Sequence, residues 1–295
     1  AMLRLARELE GLGRSILVTT TTHLLDPRRE PQWSVGFLVF RPGMELPFTG
    51  DAGNGSVALK GAVGTQGALD NAAPSGRCAW AVIARGLYAI VDTDTLQARG
   101  RDPVAFAQRL LAAGPLAALQ LRAKSLCARD ALALARALGP WCRAAGVPFV
   151  VNDRADLAWL AGADAVHVGQ GDLPVDELVR RVPDLRVGGS SHSPAELAAL
   201  LDTAADYVAY GPVFATQSKR DADPVVGLDG LRAAASMAAA RSRPLVAIGG
   251  ITLDNAAAVR EAGAWSGAVI GALVVPDAEV TAVARALHQR LGGDL

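Results

Sequence analysis

The stretch Phe149–Leu173, FVVNDRADLAWLAGADAVHVGQGDL, decides the fold. Two short apolar runs, FVVN and DAVHV, flank a segment of helical period, ADLAWLAGA. Neither run alternates strictly between polar and apolar residues, as expected of parallel strands covered by helices. Strand, helix and strand in such quick succession imply parallel neighbours joined by a right-handed crossover. Each run also ends in a carboxylate, Asp153 after the first and Asp172 after the second.

The unit repeats in both directions. From Gly86 onward eight runs read as strands: LYAIVD, AALQLR, PFVVND, DAVHVG, LRVGGS, DYVAYG, PLVAIGG and SGAVIGA. Ala/Leu/Arg-rich segments of helical period separate them, among them DALALARALGPWCRAAG, SPAELAALLDTA and LDNAAAVREAGA. Eight such units over residues 86–295 predict a closed (β/α)₈ TIM barrel, class α/β. An open doubly wound sheet is the alternative, but no G-x-G-x-x-G follows the first strand.

A barrel puts its chemistry at the C-terminal ends of its strands. Those ends carry Asp92, Arg122 with Lys124, Asn152 with Asp153, Gln170 with Asp172, Ser190 with His192, Gly211 to Lys219, Gly249 with Gly250, and Gly271. Turn and cap chemistry explains one or two of these positions, not a whole ring.

Composition narrows the partners. Lys plus Arg and Asp plus Glu are 29 each, so the net charge is zero and any anion site must be local. Aromatic residues are 5% of the 295, too few for a base-stacking platform, and no nucleic-acid partner is expected. Cys78, Cys127 and Cys142 form no C-x-x-C pair and no zinc spacing with histidine, which suits a reducing compartment. No apolar run reaches membrane-spanning length, so no membrane partner is expected. The opening AMLRLARELEGLGRS has an amphipathic helical pattern without the apolar centre of a signal peptide, and the expected location is the cytoplasm. No feature of the sequence sets an oligomeric state.

Four groups of rim residues carry the chemistry. Asp153 and Asp172 end consecutive strands, so they project from adjacent rim positions. Two carboxylates placed together repel unless a cation lies between them, and an oxygen-only pair suits Mg²⁺. Alone, each would read as a helix or turn cap. Gln120, Arg122 and Lys124 share one face of QLRAKS by alternation, and Arg122 at a barrel mouth needs an anion or carboxylate partner. The long loop YGPVFATQSKRDADPVVGL, Tyr210–Leu228, offers Thr216, Ser218 and Lys219 to phosphate oxygens and reads as a lid. Gly249, Gly250 and Gly271 end the last two strands, the usual phosphate site of such barrels.

Together these stretches resemble the thiamine phosphate synthase family, from Gly86 to about Leu273 and on toward the C-terminus. GLYAIVD, QLRAKS, VNDRADLA, GADAVHVGQGDLP, GGSSHS, DYVAYGPVFATQSK, GLDGLRA and VAIGGIT carry the resemblance. It implies a transferase that joins hydroxymethylpyrimidine diphosphate to thiazole phosphate with loss of pyrophosphate through a dissociative step. It also implies roles. Asp153 and Asp172 would hold Mg²⁺. Arg122, Lys124, Asn152 and Lys219 would bind pyrophosphate, and Ser190 would lie near the reacting centre. Gln120 would bond the pyrimidine, while Thr216, Ser218, Gly250 and Gly271 would bind the thiazole phosphate. The sequence departs from the family at Ala123, where an acidic residue is common, and at Gly189, where valine is common. It also has Ser218 in place of threonine and Gly271 near a usual serine; these departures bear on efficiency more than on reaction type. A thiazole tautomerase using His192 as proton shuttle is a related alternative, and a non-catalytic binder of thiamine precursors is another. The carboxylate pair favours the synthase.

Residues 1–85 are expected to be a separate appendage. SILVTTTTH is strand-like, and a Gly/Pro/Ala-rich stretch from Arg41 to Gly76 has no clear period. The opening segment weakly resembles the part of P-loop proteins that follows the phosphate loop, notably the accessory proteins of selenium-dependent hydroxylases. G-x-x-x-x-G-K-[ST] occurs nowhere in the chain, so a truncated remnant is expected.

Overall fold

A computed structural model describes residues 15–23, 32–40, 83–216 and 224–294. The chain divides into two compact units, Ala1–Ser75 and Gly76–Leu295. In the first, β1 (Ser15–His23) pairs antiparallel with β2 (Gln32–Phe40), Ser15 opposite Phe40. β1 is the strand-like segment expected from the sequence; β2, QWSVGFLVF, was not anticipated. The N-terminal helical pattern and the stretch from Arg41 to Gly76 lie outside the described residues.

The second unit is the barrel. β3 (Gly86–Asp92), β4 (Ala118–Arg122), β5 (Phe149–Asn152), β6 (Ala165–Val168), β7 (Arg186–Ser191), β8 (Tyr207–Tyr210), β9 (Leu245–Ile248) and β10 (Ser266–Val269) pair in parallel. β10 closes the ring against β3, with Ser266 opposite Gly86. All eight expected strands are present. The longer connecting helices are α2 (Pro103–Leu111), α3 (Ala128–Ala145), α6 (Pro194–Leu201), α7 (Gly227–Ala240) and α9 (Val280–Arg290); the shorter ones are α1 (Thr93–Gln97), α4 (Ala155–Ala161), α5 (Val175–Arg181) and α8 (Ala256–Glu261). No helix among the described residues is long and apolar enough to cross a membrane.

Local chemistry sets the boundaries. Asp102 caps α2 by accepting the Val104 N–H, with Pro103 opening the first turn. Ser193 does the same for α6 through Glu196 N–H, while Glu196 accepts the His192 N–H. Gly146 and Gly162 end α3 and α4 in the left-handed conformation.

Strand alternation sorts the core into two layers. Outward residues such as Val91, Leu121, Val166 and Leu245 pack under the helices in the larger cluster. Inward residues, including Tyr88, Ile90, Val150, Ala165, Tyr207 and Val246, fill the barrel. Ile83, just before β3, is fully buried in that inner cluster. Its carbonyl accepts the Trp265 indole N–H at 2.8 Å, and the Arg85 guanidinium stacks 4.1 Å above the Trp265 ring. The barrel floor therefore begins before residue 86.

Candidate active site

A cavity of about 980 Å³ opens at the C-terminal mouth of the barrel. Of the residues expected from the sequence, Gln120, Arg122, Lys124, Asn152, Asp153, Asp172, Ser190, Thr216, Gly250 and Gly271 line it. Ser218 and Lys219 lie outside the described residues. The cavity also takes in Tyr88, Thr95, Arg99, His167, Glu196 and Tyr207, none of which the sequence had marked for a role.

Arg122 ends β4 facing Asp92 at the end of β3, the two residues being in register. The guanidinium is ion-paired to the buried Asp92 carboxylate, whose other oxygen accepts the Thr95 N–H at 2.8 Å and caps α1. The partner that Arg122 required is thus a carboxylate fixed by a helix start, which aims the guanidinium before any ligand arrives. Lys124 lies just past the end of β4 and reaches Asp153 at 3.3 Å.

Asp153 follows β5 with φ at +61°, a left-handed conformation that a non-glycine residue adopts at a cost of roughly 1 kcal/mol or more. The turn is held by the Asp153 N–H, which donates to the His167 carbonyl at 2.7 Å. Asp153 is not the cap of α4: that position is Arg154, which makes no side-chain cap bond. The strain therefore directs the carboxylate into the mouth. Burial pushes its pKa up; Lys124 opposes the shift, and the nearby charge of Asp172 adds to it. Asp172 does cap its own turn, its Oδ2 accepting the Gly169 N–H at 2.8 Å. Among the described residues no group of three or more His, Cys, Asp or Glu is gathered to hold a metal, so the donor set here is a pair. Two oxygen-donor carboxylates, one of them destabilised as an anion by burial and a like charge, fit magnesium.

Gln120 is buried and committed within the protein. Its Oε1 accepts the Tyr88 hydroxyl at 2.6 Å, and its Nε2 donates to Asn152 Oδ1 at 2.9 Å. On β6, in register with Asn152, His167 bridges Tyr207, at 3.0 Å from Nδ1, and Ser190, at 2.8 Å from Nε2. Burial lowers the His167 pKa to about 4, so the ring is neutral near pH 7. Gly188 sits between His167 and Tyr207 in the barrel register. A Cβ there would lie 2.0 Å from Tyr207 Cζ, so the missing side chain makes room for that phenol to cross the interior. Gly189, the departure noted above, points the other way, and Leu200 of α6 fills the space where a larger side chain would go.

Gly250 has φ at +64°, and a Cβ on it would lie 2.5 Å from the Ala215 carbonyl oxygen. Glycine is required there, and it brings the β9 loop against the β8 loop. Asn255 fixes the loop by donating to the Gly250 carbonyl and accepting the Thr252 N–H. Gly271 opens a short 3₁₀ turn, Gly271–Leu273, after β10. His192 lines the mouth with Nδ1 held 2.7 Å from the Gly211 carbonyl.

A closed parallel barrel whose C-terminal rim gathers cations, a carboxylate pair and glycine turns has the make-up of a (β/α)₈-barrel enzyme. Residues 87–273 match the family model TMP-TENI, thiamine monophosphate synthase. The chain belongs to that family. A thiamine-phosphate synthase of Methanoculleus marisnigri is 48% identical over 206 residues, covering 70% of this chain and 94% of the relative. One from Koribacter versatilis is 47% identical over 200 residues, covering 64% and 89% respectively. Among solved structures, thiamine phosphate pyrophosphorylase from Pyrococcus furiosus superposes with a TM-score of 0.62 at 31% identity, over 72% of this chain and 96% of that one.

Proposed function

We propose that this protein joins hydroxymethylpyrimidine diphosphate to a thiazole phosphate, giving thiamine phosphate and pyrophosphate, as a cytoplasmic enzyme acting on small molecules. The observation that carries the reading is the strained Asp153 beside Asp172, at a cavity mouth that also holds Arg122 and Lys124. An aminopyrimidine can release electrons into the methylene carbon as the diphosphate departs. The thiazole nitrogen then attacks that carbon, the C–O bond electrons leave with pyrophosphate, and no proton need be removed from the nucleophile.

The protein's task is to stabilise the leaving charge and hold the two rings in line. Arg122, aimed by Asp92, and Lys124 face the leaving phosphates, and the Asn152 amide adds a donor. A magnesium ion held by Asp153 and Asp172 would supply further charge neutralisation there. The inner wall of Tyr88, Ile90, Gln120 and Tyr207 receives the pyrimidine. Thr216, Ser218, Gly250 and Gly271 take the thiazole phosphate, and Lys219 joins the pyrophosphate ligands.

The experiment is incubation with both substrates and magnesium, followed by detection of thiamine phosphate and pyrophosphate. Formation of both products sustains the reading. Turnover of a thiazole tautomer without pyrimidine would favour the His192 alternative, and binding without product would favour a non-catalytic binder.

A further inference from the structure

The side chains lining the cavity form one continuous hydrogen-bond chain: Asn152, Gln120, Tyr88, Tyr207, His167, Ser190. The successive separations are 2.9, 2.6, 3.0, 3.0 and 2.8 Å. Residues from six strands, β3 to β8, take part; the chain crosses the barrel interior through Tyr88 and Tyr207 and ends on β5 and β7, on either side of β6. Its direction follows from counting hydrogens. Tyr88 has one hydroxyl hydrogen and gives it to Gln120 Oε1. Tyr88 must then accept from Tyr207, and Tyr207 in turn must accept from His167 Nδ1–H. A neutral imidazole with its hydrogen on Nδ1 leaves a lone pair on Nε2. Ser190 therefore donates its hydroxyl hydrogen to His167. Burial keeps both phenols protonated, so no hydroxyl in the chain loses its hydrogen.

We propose that this wire fixes Ser190 as a hydrogen-bond acceptor toward the cavity, with Tyr88, Tyr207 and His167 as its positioning residues. At the other terminus of the wire the Asn152 carbonyl is engaged by Gln120, which leaves the amide N–H₂ to face ligands. The two ends are thus set with opposite polarity: Asn152 offers a donor to phosphate oxygens, and Ser190 offers lone pairs. Lone pairs repel phosphate oxygens, which are themselves only acceptors. Ser190 instead matches an N–H donor, and on the functional reading above that donor is the exocyclic amino group of the pyrimidine. A bond accepted from that group increases the electron release that expels the diphosphate. This assigns Ser190 to ring recognition rather than to the leaving group.

Two measurements test the wire on the full chain. The first is independent of any substrate. ¹⁵N-histidine labelling with long-range ¹H–¹⁵N correlation near pH 7.5 should show two residues with their hydrogen on Nδ1, His192 through the Gly211 carbonyl and His167 through Tyr207, although free imidazole favours Nε2–H. One of the two signals should vanish in His167→Gln, which assigns it, and in Tyr207→Phe that ring should shift toward the Nε2–H form. An Nε2–H tautomer or an imidazolium at His167 in the unaltered protein overturns the assignment, since Ser190 would then be the acceptor within the wire and a donor to the cavity.

The second measurement compares calorimetric binding of a hydroxymethylpyrimidine phosphate with that of its analogue lacking the amino group. Ser190→Ala should weaken the first about 10-fold and the second less than about 2-fold. Equal weakening of both overturns the pairing of Ser190 with an amino group. If the unaltered protein binds neither ligand, the functional reading fails and takes the amino-group pairing with it, while the tautomer result still decides the direction of the wire.

Discussion

The two ends of the barrel are each built around a buried histidine, and they use it in opposite ways. At the floor, His288 of α9 accepts the Leu87 N–H on Nδ1 at 3.2 Å, and its Nε2 lies 3.1 Å from the Asp294 carbonyl. Both partners are backbone, so the ring locks the start of β3 to the last helix across 201 residues of sequence. At the mouth, His167 meets only side-chain hydroxyls. Backbone partners fix a position; hydroxyl partners can turn, and they transmit a donor–acceptor direction. The floor is also closed by acids placed just before strands. Asp164 accepts the Phe149 N–H and Asp206 the Val187 N–H, each at 2.8 Å. The mouth, by contrast, carries an unfavourable backbone angle at Asp153 and a destabilised carboxylate. One end commits its polar groups to the backbone, and the other turns them toward the cavity.

The largest expected effect sharpens that contrast. Asp172→Ala and Asp153→Ala should each lower kcat about 10³-fold, about 4 kcal/mol of lost stabilisation of the leaving charge. Pyrophosphate release at limiting magnesium is the measurement. Asp153→Gly should be equally inactive yet melt higher, gaining about 1 kcal/mol from relief of the left-handed strain. Near-normal rates in both alanine variants would remove the carboxylates from the chemistry.

pH should bear on both ends. The His167 pKa is pushed down to about 4 in the folded protein and returns to about 6.5 on unfolding. Between those values the unfolded chain binds a proton that the folded chain does not. Stability should therefore fall as pH drops below about 6.5 and level off below about 4, a loss on the order of 3 kcal/mol from this residue. His288 is also lowered by burial, so it contributes in the same direction from the same upper limit. Urea midpoints across this range check the slope, and His167→Gln should flatten it.

His288→Leu tests the floor alone. Leaving the Leu87 N–H and the Asp294 carbonyl without the ring should cost about 2 kcal/mol, and the melting temperature should fall by about 4–8 °C. Below that temperature kcat should be unchanged. A variant that melts normally but turns over slowly would reverse the division of labour.

The smallest effect concerns where the floor begins. A chain starting at Gly76 should melt and work like the full protein, because Ile83, Arg85 and Trp265 remain together. A chain starting at Ala84 loses Ile83 and the acceptor for Trp265, and its melting temperature should be about 2–6 °C lower. Equal melting of the two shorter chains would show that Ile83 adds nothing measurable.

Periodicity made the eight strands legible, because parallel strands under helices leave apolar runs that turns interrupt. The rim residues followed, since the end of each run marks the mouth. Arg122 was legible as a cation in need of a partner, but its partner was not, because Asp92 is 30 residues away and only barrel register joins them. Tyr88, His167 and Tyr207 went unread for a related reason. Each lies within an apolar strand, where a ring looks like core, and their polar atoms meet only across the interior. Counting back by twos from Asp92, Gly169 and Gly211 would have placed all three inside the barrel. The left-handed turn at Asp153 left no trace in the sequence, since aspartate is common at any strand end. Ile83 fell among residues assigned to an appendage, because the floor is completed from outside the repeating unit.

The closing pair of the barrel has a consequence during synthesis. β3 takes β10 as one of its two neighbours, and Gly86 precedes Ser266 by 180 positions. Residues leave the ribosome at about 5–20 per second. The first barrel strand therefore spends roughly ten seconds or more with one edge unpaired. An unpaired apolar edge invites any passing strand. Whatever shields the edge of β3 while the later strands are made therefore bears on yield, separately from the strength of the finished fold.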